Sequence, residues 1–344
     1  MQDVDADPIG APRRPPYLRF LSLGISGILI VGGGFVMYRW VSGPEILNML
    51  RRIDWRWLTL AVFTYWLQYP ITAIRMNRVM HWLMQPKSPA PPSFRLILKV
   101  TLSSGFISVT APVGLMADAA KIGALKYFGQ MSTSHAIQCT LFDRVVAVQW
   151  MSLFALATLP LQWALGVPLD PIGIQFLVSA GFLVAIIVLL FLPNVLRIFD
   201  HVIVLKFAKI FSGYEMMFPL RRSAVQMAIT AANLVLVFAT LYCLLRAVGL
   251  TANLAVIACF VPFLQVVNGV PFLYMGWGGR EIAMAATVGV ASGLSINQAL
   301  VVSAIWGLTS ILAGAFNGVF VLGDWQSHRA AATPRPPAGT PPVV

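Results

Sequence analysis

Long apolar stretches separated by short polar ones dominate this chain, and their lengths predict its elements. The first apolar run covers about Phe20 to Met37, behind a polar, Pro-rich segment at 1–16 and the basic residues Arg13, Arg14 and Arg19. It exceeds a signal-peptide core and further spans follow it, so it reads as an uncleaved anchor helix. Residues 43–54 read as an interfacial amphipathic piece. A second span is predicted from Trp55 to Trp82, kinked at Pro70 and ended by the loop "QPKSPAPPS". Full spans are predicted at about 134–162, 171–195 and 223–248, with a last one from Ser295 to Leu322. A basic amphipathic connector, Arg197 to Arg222, joins the fourth and fifth spans, and the Pro-rich stretch 324–344 reads as a disordered tail.

Two segments break the pattern. In about 94–129 the apolar run is interrupted by Ser103, Ser104, Gly105, Pro112 and Gly114, and a half-helix carrying Asp118 and Lys121 follows. In about 251–293 the interruption is "PFLYMGWGGRE", with Pro271, Gly276, Gly278 and Gly279 ahead of Arg280 and Glu281. Non-helical backbone at membrane depth is tolerated only where protein or a water-filled cavity covers it. Both segments are therefore expected to be re-entrant hairpins. The predicted fold is an all-α integral membrane protein with six full spans plus two re-entrant or broken helical hairpins, in a single membrane domain at 17–323.

The two broken segments share an order of features: proline, glycine, charged half-helix, glycine, full span. "GQMSTSHAIQ" (129–138) aligns with "GLSINQALVV" (293–302) across a one-residue gap, matching Gly129 with Gly293, Ser132 with Ser295 and Ala136 with Ala299. Three crossings separate the hairpins, so they enter from opposite faces. That arrangement is expected of an inverted repeat, which in transporters sets substrate near the midplane between discontinuous helices.

Composition agrees with this class. Of 344 residues, 58% are hydrophobic and 10% charged, against about 25% charged in soluble domains; mean hydropathy is +0.79. The net charge of +12 is scattered between apolar segments, with no basic face for nucleic acid. It reads as topology and contact with anionic lipid. Under six crossings, 17 of the 24 Lys and Arg fall on the face that carries both termini. Six fall opposite (Arg39, Arg51, Arg52, Arg56, Arg246, Arg280), and Arg144 lies within a span. Such a bias puts both termini in the cytoplasm. Cys139, Cys243 and Cys259 have no CxxC spacing, and the four histidines form no ligand cluster. No metal, cofactor or nucleotide motif is read.

Three charged groups lie at membrane depth: Asp118 with Lys121, Asp143 with Arg144, and Arg280 with Glu281. Charges there are costly and pair with one another or mark a pathway. Asp118, Asp143, Arg144 and Glu281 read either as ion pairs that rearrange between states or as pairs that hold the fold. Lys121 and Arg280 each follow Gly-rich backbone, where free helix N–H groups and a cation together suit an anion. The candidate lipid-phosphate site is Lys121, Arg280, Gly114, Gly276, Trp277 and Gly278. Arg75 and Arg78, near the end of the second span, read as snorkelling to headgroups. Gly314 and Gly318 read as a close-packing GxxxG.

These stretches resemble those of the lysylphosphatidylglycerol synthase transmembrane family, also described as flippase-like. "PVGLMADAAK" looks like its pattern of proline, glycine, aspartate and base (Pro112, Gly114, Asp118, Lys121), and "LFDR" like its acidic–Arg pair, Asp143 and Arg144. "PFLYMGWGGRE" is similar to its Pro…Gly-Trp-Gly-x-Arg-Glu stretch. Met116, Met275 and Leu273 depart from it, standing where small or polar residues are common. The resemblance implies an inner-membrane bundle that moves an anionic lipid between leaflets. It carries no aminoacyl-transferase chemistry here, since no such domain is read. The sequence leaves open a lipid-modifying enzyme using Asp118 or Glu281 as base, a non-transporting partner of a glycosyltransferase or other lipid-modifying enzyme, and a homo-oligomer.

Overall fold

The computed structural model describes residues 48–49, 51–84, 92–110, 115–196, 213–269 and 278–332, and they contain helices and no strand. The expected anchor run at 20–37 lies outside them, as do Pro112, Gly114, Gly276, Trp277 and most of the connector.

The expected span from Trp55 is two helices, α1 (Trp55–Trp66) and α2 (Gln68–Met84), broken at Leu67. Pro70 explains the break, because it has no N–H for the Trp66 carbonyl and its ring crowds that carbonyl. Asp54 starts α1 by accepting from the Arg56 N–H at 2.9 Å, which satisfies one orphan donor of the first turn.

The first broken segment is α3 (Phe94–Thr110) and α4 (Leu115–Tyr127), which pack against each other. After it come α5 (Thr133–Ala157), a short α6 (Leu159–Ala164) and α7 (Leu169–Leu196). A 3-10 turn (Tyr214–Met217) then leads into α8 (Leu220–Ala247). The second broken segment begins with α9 (Leu254–Asn268) and resumes as α10 (Gly279–Met284). A π-helical turn (Ala285–Gly289) and a closing α-turn (Val290–Ser292) complete it. The final helix, α11 (Ile296–Ala332), runs past the expected end at Leu322 into the first part of the predicted tail.

Among the described residues, four helices are long and apolar enough to cross a membrane: Thr133–Ala164, Leu169–Val188, Leu220–Ala247 and Ile296–Val319. They coincide with the predicted full spans from 134 onward.

Close packing of α3 on α11 rests on missing side chains. A Cβ on Gly314 would lie 2.5 Å from Val109 Cγ1 and 3.1 Å from the Gly105 carbonyl, and one on Gly318 would lie 2.8 Å from the Phe106 ring. The GxxxG pair is therefore a packing face, as its spacing implies. A larger core joins α5, α8, α9 and α11 through residues such as Ala155, Leu241, Leu244, Ile257, Phe260, Val302 and Trp306. Pro262 interrupts the hydrogen-bond ladder within α9. Nearby, the Cys259 carbonyl accepts from Thr158 Oγ1 (3.0 Å) and Gln162 Nε2 (3.4 Å), which fastens α9 to the α5–α6 corner.

Candidate functional site

A cavity of about 340 Å³ opens where both broken segments meet α2, α5 and α11. Among the described residues four cations face it: Arg75 from α2, Lys121 from α4, Arg144 from α5 and Arg280 from α10. The sequence reading put Lys121 and Arg280 in one site, and they do line one cavity. Gly278 precedes α10 with a φ of +86°, a left-handed conformation that favours glycine.

The pairing differs from that suggested by sequence order. Asp143 and Arg144 are adjacent in α5, and successive helical positions point about 100° apart, so they reach different partners. Asp143 Oδ1 accepts from Arg75 Nε at 2.8 Å, and that pair is sealed from the surface. Arg144 instead meets Asp118, with Nη2 donating to Oδ1 at 2.9 Å and Nε 2.7 Å from Oδ2. Arg75 thus corrects its headgroup reading: it lies on the inward side of α2 beside Met76 and Val79, all buried, whereas Arg78 is exposed. The buried carboxylate of Asp143 holds it there, since an unpaired charge at that depth would be costly.

Arg280 and Glu281 do bond to each other. Arg280 Nη2 donates to Glu281 Oε1 at 3.0 Å, and Ser303 Oγ of α11 donates to the same oxygen at 2.9 Å while accepting from Arg280 Nε at 3.0 Å. The second carboxylate oxygen, Oε2, accepts from the Gly278 N–H at 2.5 Å, closing the helix start. Trp306 lies beneath the guanidinium, 5.6 Å from ring centroid to Cζ, within cation–π range.

Lys121 is the exception among the four cations. It is 7% exposed and makes no hydrogen bond or ion pair with any described residue. In α9, Asn268 donates to Gln265 at 3.2 Å while its own Oδ1 has no partner among the described residues. Among the described residues, three carboxylates (Asp118, Asp143, Glu281) pair with three of the four cations.

Sequence reading missed most of the neutral lining: Tyr65, Gln68, Tyr69, Thr72, Gln265 and Asn268. The available signal was the run of polar residues inside "WLQYPIT" and "FLQVVNG", at spacings that share one helix face.

The two units also match locally. Gln130 and Gly293 both have positive φ, +50° and +66°. Each stands two residues before the serine that starts the next long helix: Ser132 accepts from His135 N and Ser295 from Gln298 N. Asp118 and Glu281 lie equally far before those serines. Asp143 and Ala147 in α5, like Trp306 and Ser310 in α11, lie equally far after them and line the cavity.

Among known families, the lysylphosphatidylglycerol synthase TM region matches residues 20–318. The chain belongs to that family. No curated protein matches it.

Proposed function

We propose that this member of the lysylphosphatidylglycerol synthase transmembrane family moves an anionic lipid between leaflets, with a phospholipid or polyprenyl-phosphate headgroup passing through the central cavity. The observation that carries the reading is Lys121, a buried cation facing the cavity without a hydrogen-bond or ion-pair partner among the described residues. A charge kept in that state at membrane depth is explained by an anion that arrives and leaves.

In this reading the chain crosses the membrane six times and its broken segments are inverted-repeat hairpins, with both termini at the cytoplasmic face of the inner membrane. The equal spacings around Ser132 and Ser295 support the repeat. Asp118–Arg144 is the pair that opens to admit a headgroup, because the Arg144 side chain is 42% exposed whereas that of Arg75 is 8% exposed. A general-base role for Asp118 or Glu281 is disfavoured, since each already holds an arginine. Any glycosyltransferase or other lipid-modifying partner would act on the lipid before or after transfer.

The test is a reconstituted-vesicle assay following acyl-labelled phosphatidylglycerol between leaflets. Wild-type protein is expected to accelerate its movement, Lys121→Arg to retain part of the activity and Lys121→Met to lose it. Equal rates for wild type and Lys121→Met would overturn the site.

A further inference from the structure

The cavity that Lys121 faces also holds an uncharged set of open polar atoms. Gln68 and Thr72 stand one turn apart on α2, with Arg75 three positions further along the same face. Gln265 reaches the cavity from α9. Gln68 Nε2 donates to Thr240 at 3.4 Å, and Gln265 Oε1 accepts from Asn268 at 3.2 Å. The other ends of both amides, Gln68 Oε1 and Gln265 Nε2, form no hydrogen bond with any described residue, nor does the Thr72 hydroxyl. All three residues line the cavity, and none of these atoms is sealed from solvent. Together they offer an acceptor, a donor and a hydroxyl that does both.

Among the described residues, no carboxylate of the site is free for an amine: Asp118 holds Arg144, Asp143 holds Arg75 and Glu281 holds Arg280. Residues 111–114, between α3 and α4, and 270–277, between α9 and α10, contain no Asp or Glu. Opening the Asp118–Arg144 pair does not alter the balance. With Lys121, these side chains carry one more positive than negative charge, whether the pair is open or closed. A headgroup with one negative charge cancels that excess, and a zwitterionic or cationic one does not. At about 340 Å³ the cavity is near the small end of ligand sites, which suits one glycerol or one sugar ring and not a chain of sugars.

We infer, building on the transport reading, that the lipid received here carries a neutral polyhydroxyl group, glycerol or a single sugar-like ring, on one phosphodiester. Lys121 takes the phosphate charge, while Gln68, Thr72 and Gln265 take the hydroxyls. Amine-bearing headgroups are rejected, because drawing a carboxylate away would strand its arginine.

Binding is read as thermal stabilisation of the full-length protein in detergent, titrated with four dioctanoyl lipids. Phosphatidylglycerol and phosphatidylinositol carry hydroxyls and one negative charge. Phosphatidylmethanol carries the charge alone, and phosphatidylethanolamine adds an amine. At least one of the hydroxyl-bearing pair is expected to bind about tenfold more tightly than phosphatidylmethanol, a difference of about 1.4 kcal/mol, or one to two net hydrogen bonds. Which of the pair leads tells glycerol from a ring. Phosphatidylethanolamine should bind more weakly than all three. In Gln68→Leu with Thr72→Val the preference over phosphatidylmethanol should be lost, and a preference kept in full would refute the assignment to those residues. The wild-type panel decides the matter even where the double variant does not fold. Equal binding of phosphatidylmethanol and both hydroxyl-bearing lipids, or phosphatidylethanolamine bound as tightly as phosphatidylglycerol, would overturn the polyol headgroup and leave movement of an anionic lipid standing. Stabilisation by none of the four would overturn both. The expected ranking, with no lipid movement in the vesicle assay, would sink the transport reading alone.

Discussion

Arg75 and Asp143, 68 residues apart in sequence, form a two-point contact in which Nε and Nη2 of the guanidinium meet Oδ1 and Oδ2 at 2.8 and 3.4 Å. Their side chains are 8% and 3% exposed, so the pair closes one wall of the cavity and ties α2 to α5. Either partner alone would be a stranded charge.

Removing one member should therefore be costly. Arg75→Met or Asp143→Leu alone is expected to destabilise the protein by about 3–5 kcal/mol, the range for breaking a buried pair. The double replacement Arg75→Met with Asp143→Leu should recover most of that loss. Thermal unfolding of the four proteins in detergent forms the cycle that checks it. Additive losses in the double variant would count against the pairing.

Lys121 should behave in the opposite way. No described residue depends on its charge for a hydrogen bond, so Lys121→Met should leave the unfolding temperature unchanged or raise it. The same change should abolish stabilisation of the protein by added phosphatidylglycerol, which is read by thermal shift with and without lipid.

Asp118–Arg144 is more open than the Arg75 pair, with side chains 13% and 42% exposed. Solvent screens such a contact, so Arg144→Ala should cost about 0–1 kcal/mol of stability. Its effect should appear in lipid movement instead, as a changed rate in vesicles at unchanged unfolding temperature.

Gly314→Val should separate α3 from α11. Its Cβ alone would stand 2.5 Å from Val109 Cγ1 and 3.1 Å from a backbone oxygen, and the added methyl groups have nowhere to go. A loss of about 1–3 kcal/mol is expected from overpacking, measured by unfolding in detergent. Gly173→Val in α7, where nothing lies within 4 Å of the added Cβ, is the control and should be nearly neutral.

Much of the helical frame was legible because apolar run length and prolines are local signals. The four long spans and the inward role of Gly314 and Gly318 follow from spacing alone. The ion pairs were less legible. Asp143 has a sequence neighbour of opposite charge, yet its partner comes from a helix 68 residues earlier, and only the assembled bundle determines that. Arg75 misled because an arginine near a predicted helix end resembles a headgroup anchor, and which side of α2 faces inward depends on packing. Gln265 and Asn268 stood out weakly, since an isolated amide in an apolar helix carries no charge signal.

The π-helical turn at Ala285–Gly289 has a consequence for register. Such a turn holds one more residue than an α-helix does over the same rise. Deleting a single residue within it would let the segment relax to α geometry with its flanking turns still in phase, whereas a deletion from regular α-helix would turn Arg280 by about 100° relative to Ser295. In the first case Arg280 would keep Ser303 and Trp306 on α11, and in the second it would swing off them. The turn acts as a phase absorber: it takes up one extra residue while leaving unchanged the angle at which a cation meets the rest of the bundle.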